Sequence, residues 1–356
     1  MFVAWRDLRF ARGRFILIGA VVALITVLVG FLAGLTGGLA FQNVSAVLDL
    51  PGNRLVLQQT DGKASFSESE LSENTVDAWR SAPGVDEALP VSILQSRAQA
   101  GGKTAGVAVF GMPSGDDSAL GRMTPHTADE IGLSTGAAAD LDARVGDRVS
   151  IAGTAYRVAS VGGDLWYSHT PAIAMTTGAA RDTAERMGGS GAATVLAVSG
   201  DPDWDAVAKA TGTAAFAPLA SLTALETFKS EIGSLALMVV MLFGISALVV
   251  GAFFTVWTMQ RSGDIAVLKA LGATTGSLVR DALGQALVVL VVGIGIGLAA
   301  VVGLGALAGG ALPFLISPLT TIVPALAMAV LGLAGAAVAL RTVTSADPLT
   351  ALGSNR

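Results

Sequence analysis

The sequence predicts an α-helical membrane protein, with four transmembrane helices and one extracytoplasmic α+β domain inserted between the first and the second. Three observations carry this expectation. Of the 356 residues, 52% are hydrophobic and 14% charged, against about 25% charged in soluble domains. The deficit is concentrated in long charge-free runs, the mark of membrane spans. The net charge of −5 also hides two opposed parts: 13 basic and 23 acidic residues lie from Val44 to Glu231, and 9 basic and 4 acidic lie elsewhere. The second set includes Arg6, Arg9, Arg12, Arg14, Arg280 and Arg341, at the ends of the apolar runs. Lys and Arg near span ends stay on the cytoplasmic side. Both termini and the 260–281 loop are therefore expected in the cytoplasm, and the acidic domain outside it. Cysteine is absent, which excludes disulfides, thiolate nucleophiles and Cys-based metal sites.

The elements follow in order. Residues 1–43 form a cytoplasmic lead-in helix and the first span, about Phe15 to Phe41, with no charge between Arg14 and Asp49. A signal peptide has an apolar core of only about 7–15 residues, so an uncleaved anchor is expected. Residues 44–230 form the outer domain, long enough to hold a core of its own. There the stretch from Ser67 to Ser81 reads as a helix with Leu71, Val76 and Trp79 on its apolar face. Ala105 to Phe110 and Arg144 to Gly163 read as strands, the second with turns at Gly146-Asp147 and Gly153-Thr154. Leu219, Leu222, Leu225, Phe228 and Ile232 recur at helical spacing, predicting a helical stalk. It leads into 231–356 and the second span, about Ile232 to Met259. The 59 residues between Asp281 and Arg341 carry no charge, too many for one span of about 20. Spans of about Ala282–Ala308 and Thr320–Leu340 follow, with Gly309-Gly310, Pro313, Pro318 and Pro324 marking the reversal.

In the 260–281 loop, Ile265, Leu268 and Leu271 sit at helical spacing beside Asp264 and Lys269, and Gly272 is placed to end the helix. Such a helix either lies in the interface or docks into a cytoplasmic partner. Arg261, Asp264, Ile265, Ala266, Leu268, Lys269, Ala270, Leu271, Gly272 and Ala273 spell a pattern that resembles the FtsX/MacB-type permeases of ABC transporters, with Asp264 where the family usually has Glu. Three further stretches resemble the same family: AWRDLRFARGRF at the N-terminus, DARVGDRVSIAGTAYRVASV in the outer domain, and ADPLTALGSNR at the C-terminus. The resemblance implies a homodimer of permease chains bound to two copies of a separate ABC ATPase, which holds ATP and Mg. It also implies mechanotransmission, in which closure of the ATPases is passed through the spans to the outer domain. Arg261, Asp264, Ile265, Leu268, Lys269, Leu271 and Gly272 would couple the chain to that ATPase. No intrinsic cofactor, metal site or nucleic-acid partner is expected.

This chain has no nucleotide site of its own by its motifs. Gly102, Lys103 and Thr104 match the end of a phosphate-binding loop, but its first glycine is replaced by Arg97, so the turn that cradles phosphate is broken. His126 and His169 lie in no metalloprotease or hydrolase motif, and His169 in DLWYSHTP is expected to pack or face solvent. Gly30, Gly34, Gly37-Gly38, Gly293 and Gly297 allow close helix approach, either within one subunit or between two.

For the substrate, Glu231 at the outer edge of the second span is the most informative residue. Met238 falls near its helical face and Met241 is close by. An ionisable group at a span end is a functional candidate, although Glu231 also suits a plain position near a helix N-terminus. Met is an axial ligand of haem iron, and Phe31 and Phe41 would flank a ring. A four-span permease with a compact outer domain resembles the haem-exporting permeases of Gram-positive bacteria, which implies haem as cargo, bound by Glu231, Met238, Met241, Phe31 and Phe41. The alternatives are an exporter of peptide, lipid or antibiotic, and a regulatory scaffold for cell-wall hydrolases.

Overall fold

The computed structural model describes residues 12–260, 263, 267, 271–308 and 312–344. Four of its helices are long and apolar enough to cross a membrane. They are α1 (Arg12–Leu48), α8 (Glu226–Gln260), α9 (Thr275–Ala308) and α10 (Pro318–Thr344). Between α1 and α8 the chain builds an α+β domain from strands β1 (Arg54–Thr60), β2 (Lys63–Ala64), β3 (Val85–Ala100), β4 (Lys103–Gly111), β5 (Glu130–Leu133), β6 (Arg148–Ile151), β7 (Thr154–Val161), β8 (Trp166–Tyr167), β9 (Thr170–Met175), β10 (Val195–Gly200) and β11 (Thr213–Phe216). Its helices are α2 (Glu73–Arg80), α3 (Ala119–Met123), α4 (Thr135–Leu141), α5 (Thr177–Arg186), α6 (Trp204–Thr211) and α7 (Pro218–Ser221). The chain divides into a helical unit, 1–38 with 234–356, and an inserted unit, 39–233.

In the inserted unit the strands run in the order β11-β1-β10-β3-β4-β9-β5-β7-β6. β3 also pairs with β6, so β3, β4, β9, β5, β7 and β6 close into a ring. A closed ring leaves no free edge between those strands. Val107, Val109, Ile131, Leu133, Val149, Ile151 and Ile173 form one buried core of this ring. The long β3 is also part of the β11-β1-β10 sheet, whose two faces bury two further clusters, one on Phe66, Phe110 and Tyr167 and one on Trp79 and Val198. Five short helices begin at side-chain caps: Ser72, Ser118, Ser134, Thr176 and Asp203 each accept the backbone N–H three residues on, the usual remedy for unpaired donors at a helix start.

Two elements differ from the sequence expectation. The helix expected from Ser67 starts at Glu73, because Ser72 caps it and Leu71 pairs with Ala193 as an isolated bridge. The stalk is not one helix: α7 is followed by a 3-10 turn at Leu222–Ala224, and Leu225 is extended before α8 starts. Leu222, Ala224 and Leu225 are buried in the Phe66–Tyr167 core, and that burial outweighs the helical periodicity. The 144–163 region is the β6–β7 hairpin, turned at Ala152-Gly153 with both φ values positive (48 and 81).

In the helical unit, Ile18, Val22, Val250, Phe254, Trp257, Leu290 and Met328 bury one another. Glycines named above are used inside this chain. Gly34 and Gly305 both lie against the Phe314 ring, Gly38 against the Pro313 backbone, and Gly293 and Gly297 against Val22 and Thr26 of α1. The segment before α10 is also tied to α1 by Leu315 N–H donating to the Gly34 carbonyl at 3.0 Å. Pro324 lies inside α10 rather than in the turn.

Candidate functional site

The last turns of α1 are built into the inserted unit. Val44, Ala46, Val47 and Leu50 are buried in the core with Phe66, Phe110 and Tyr167, each large side chain contributing roughly 1.5–3 kcal/mol. Asp49 then accepts the N–H groups of Ala119 and Leu120 at 3.2 and 2.7 Å, so α1 and the start of α3 share one carboxylate. Ser45 Oγ accepts the Trp166 N–H at 2.9 Å and donates to the Trp166 carbonyl at 3.4 Å. The β8–β9 hairpin is thereby fixed to α1.

The hairpin turns at Ser168-His169, both with positive φ (48 and 64). Two positive φ values suit the twist of a two-residue hairpin, but each costs a residue other than glycine about 1 kcal/mol or more. The turn is held by Ser168 N–H donating to the Asn43 carbonyl and His169 N–H to the Gln42 carbonyl, each at 3.0 Å. That pins the imidazole beside α1.

Glu231 of α8 completes the site. Its Oε2 accepts from Asn43 Nδ2 at 3.1 Å and from His169 Nε2 at 2.9 Å. A carboxylate only accepts, so the proton of His169 is on Nε2 in this contact. Asn43 is fully buried, while the His169 and Glu231 side chains are 35% and 27% exposed. Glu231 lies in the second turn of α8, beyond Glu226 in the first, so favourable placement at the helix N-terminus, an effect confined to the first turn, does not account for it. The result is a carboxylate oriented by a buried amide and an imidazole, with the carboxylate and the imidazole within reach of solvent.

The other expected site residues fall as follows. Phe41 is half-buried on α1. Phe31 packs on Phe314, ring centroids 5.0 Å apart. Met238 and Met241 are 57% and 60% exposed on α8. Arg261, Asp264, Ile265, Leu268 and Lys269 lie outside the described residues; Leu271 is 80% exposed, and Gly272 has φ +94. Sequence reasoning missed Asn43 as a partner of Glu231 and gave His169 a packing or surface role. The available signal was a polar Gln42-Asn43 pair directly after the apolar run that ends at Phe41. An apolar cleft of about 650 Å³ runs between α1 and α9, lined by residues such as Gly19, Ala23, Val27, Val292 and Ile296, and it offers no polar ligand atom from these side chains.

Residues 236–348 match the family described as FtsX-like permease C-terminal. Over its full length the chain is 24% identical across 361 residues to a Staphylococcus epidermidis protein named HrtB hemin transport permease, covering 100% of both chains. A protein of the same name from Staphylococcus haemolyticus is 24% identical across 363 residues, covering 99% of each. An uncharacterized ABC transporter permease of Mycobacterium tuberculosis is 26% identical across 367 residues, again 99% of each. Among solved structures, the periplasmic region of MacB from Actinobacillus actinomycetemcomitans aligns with a TM-score of 0.34 at 11% identity, covering 49% of this chain and 93% of that one.

Proposed function

We propose that this chain, whose last three spans carry an FtsX-like permease domain, is the membrane subunit of an ABC exporter that removes haem from the bacterial plasma membrane. The observation that carries the reading is the match over the whole of both chains to permeases named for hemin transport. ATP and Mg are held by a separate ATPase, and this subunit is non-catalytic. It works as a homodimer with two ATPase copies, both termini are cytoplasmic, and the inserted domain is outside the cell.

The site's chemistry supports haem over a bare ion. A bound transition metal takes three or four protein ligands. The iron of haem already has four from its macrocycle and takes one or two axial ligands from a protein. Glu231 supplies one such oxygen, with Met238, Met241 and Phe41 as further candidates for ligation and ring contact. Phe31, held by Phe314, would take part only from that position. Mechanotransmission is supported by the build of α1: it is unbroken from Arg12 to Leu48, and its last turns are core residues of the inserted domain. Leu271 and Gly272, with Arg261, Asp264, Ile265, Leu268 and Lys269, are the proposed ATPase contact.

Haemin added to the purified full-length chain tests the reading. A shifted Soret band is expected, with apparent affinity lowered about tenfold or more in Glu231→Ala, a change of about 1.4 kcal/mol or more. A spectrum of free haemin at every ratio would sink the haem assignment.

A further inference from the structure

We propose that His169 competes with cargo for Glu231, so that haem iron must displace the imidazole to reach the carboxylate. The proposal rests on the haem reading above. Two donors converge on one oxygen, Oε2: Asn43 Nδ2 at 3.1 Å and His169 Nε2 at 2.9 Å. Two donors fill the two lone-pair directions of a carboxylate oxygen. A carboxylate engaged by an N–H donor is also a weaker ligand through either oxygen, because the same electron density serves both contacts.

The two donors are not equally free to leave. Asn43 is fully buried and its backbone carbonyl is held by the hairpin turn, so it stays and orients the carboxylate. The His169 side chain is 35% exposed, and water can satisfy its N–H once it swings out. Its backbone does not have to move, since the turn is held by main-chain bonds to Gln42 and Asn43. Displacement is therefore a side-chain event, and its cost sets the haem concentration at which the site fills. Asn43 is a positioning residue in this scheme, and His169 a threshold.

Haemin titrations of the full-length protein, read by Soret absorbance, test the idea with three variants. His169→Gly removes the imidazole and is at ease at φ +64; it should bind haemin about tenfold or more tightly than wild type, the size expected when a hydrogen bond to a charged group stops competing. His169→Gln keeps an N–H donor and should return affinity to near wild type. His169→Gly combined with Glu231→Ala should lose the gain. A merely structural role for His169 does not tighten binding. Weaker binding by His169→Gly, with thermal stability retained, would mean that the imidazole is itself an iron ligand and would overturn the proposal. Unchanged affinity would make it a bystander. If neither wild type nor His169→Gly perturbs haemin, the haem reading fails and the proposal falls with it.

Discussion

Glu231 is an acid at the edge of an apolar run, a candidate by composition alone, and its contacts with Asn43 and His169 leave no mark in the sequence. Asn43 is 188 positions away and His169 is 62, and no spacing rule links residues joined only by the closure of a fold. His169 in particular reads as an ordinary loop residue until the positive φ values at 168 and 169 aim it at α8. Beside it, Tyr167 stacks edge-on against Phe66 and Phe110, at 6.4 and 5.9 Å, and burial pushes its phenol from 10.0 up to about 12. The unfolded phenol ionises near 10, so the stabilisation from its burial is whole below that pH and is lost as pH rises through 12. An ultraviolet difference titration of wild type against Tyr167→Phe should place this phenol near pH 12. A midpoint near 10 would mean that the hairpin is not packed as described.

Among elements, the spans were the easy part, since each declares itself by length and absence of charge. α1 proves longer than its apolar run because its last turns are also buried, through Val44 and Val47, and α8 starts at Glu226, directly after a segment buried through Leu222 and Leu225. Most strands were hidden. β3 carries Pro90 and several polar residues yet pairs with β10, β4 and β6, and its register comes from three partners rather than from alternation. The glycines of the spans read as close contacts of unknown partner; the structure uses them within the chain. Gly38→Ala would drive a methyl into the Pro313 backbone, and Gly34→Ala into the Phe314 ring. Overpacking of this kind costs about 1–3 kcal/mol, so both variants should lower the unfolding temperature in detergent. Gly244→Ala, with nothing within 4 Å of the new methyl, should not. Equal behaviour of all three would contradict the contact between α1 and the segment before α10.

At the scale of the molecule, the inserted domain and the four long apolar helices were predictable in outline, whereas the 261–273 pattern that carries the family resemblance lies largely outside the described residues. The 260–281 loop is described at its far end, where Leu271 is 80% exposed. An apolar side chain so exposed beyond a span suits a socket on a partner. Leu271→Asp should cut co-purification of the ATPase by about tenfold or more while leaving haemin binding intact; retained co-purification would remove this residue from the contact. The proposed function joins ATP use to haem. The most direct measurement is the ATPase rate of the complex, this chain with its ABC ATPase in lipid vesicles, as haemin is added. A saturable rise in rate is expected, shifted to higher haemin by Glu231→Ala. A rate indifferent to haemin, or a rise that Glu231→Ala leaves in place, would contradict it.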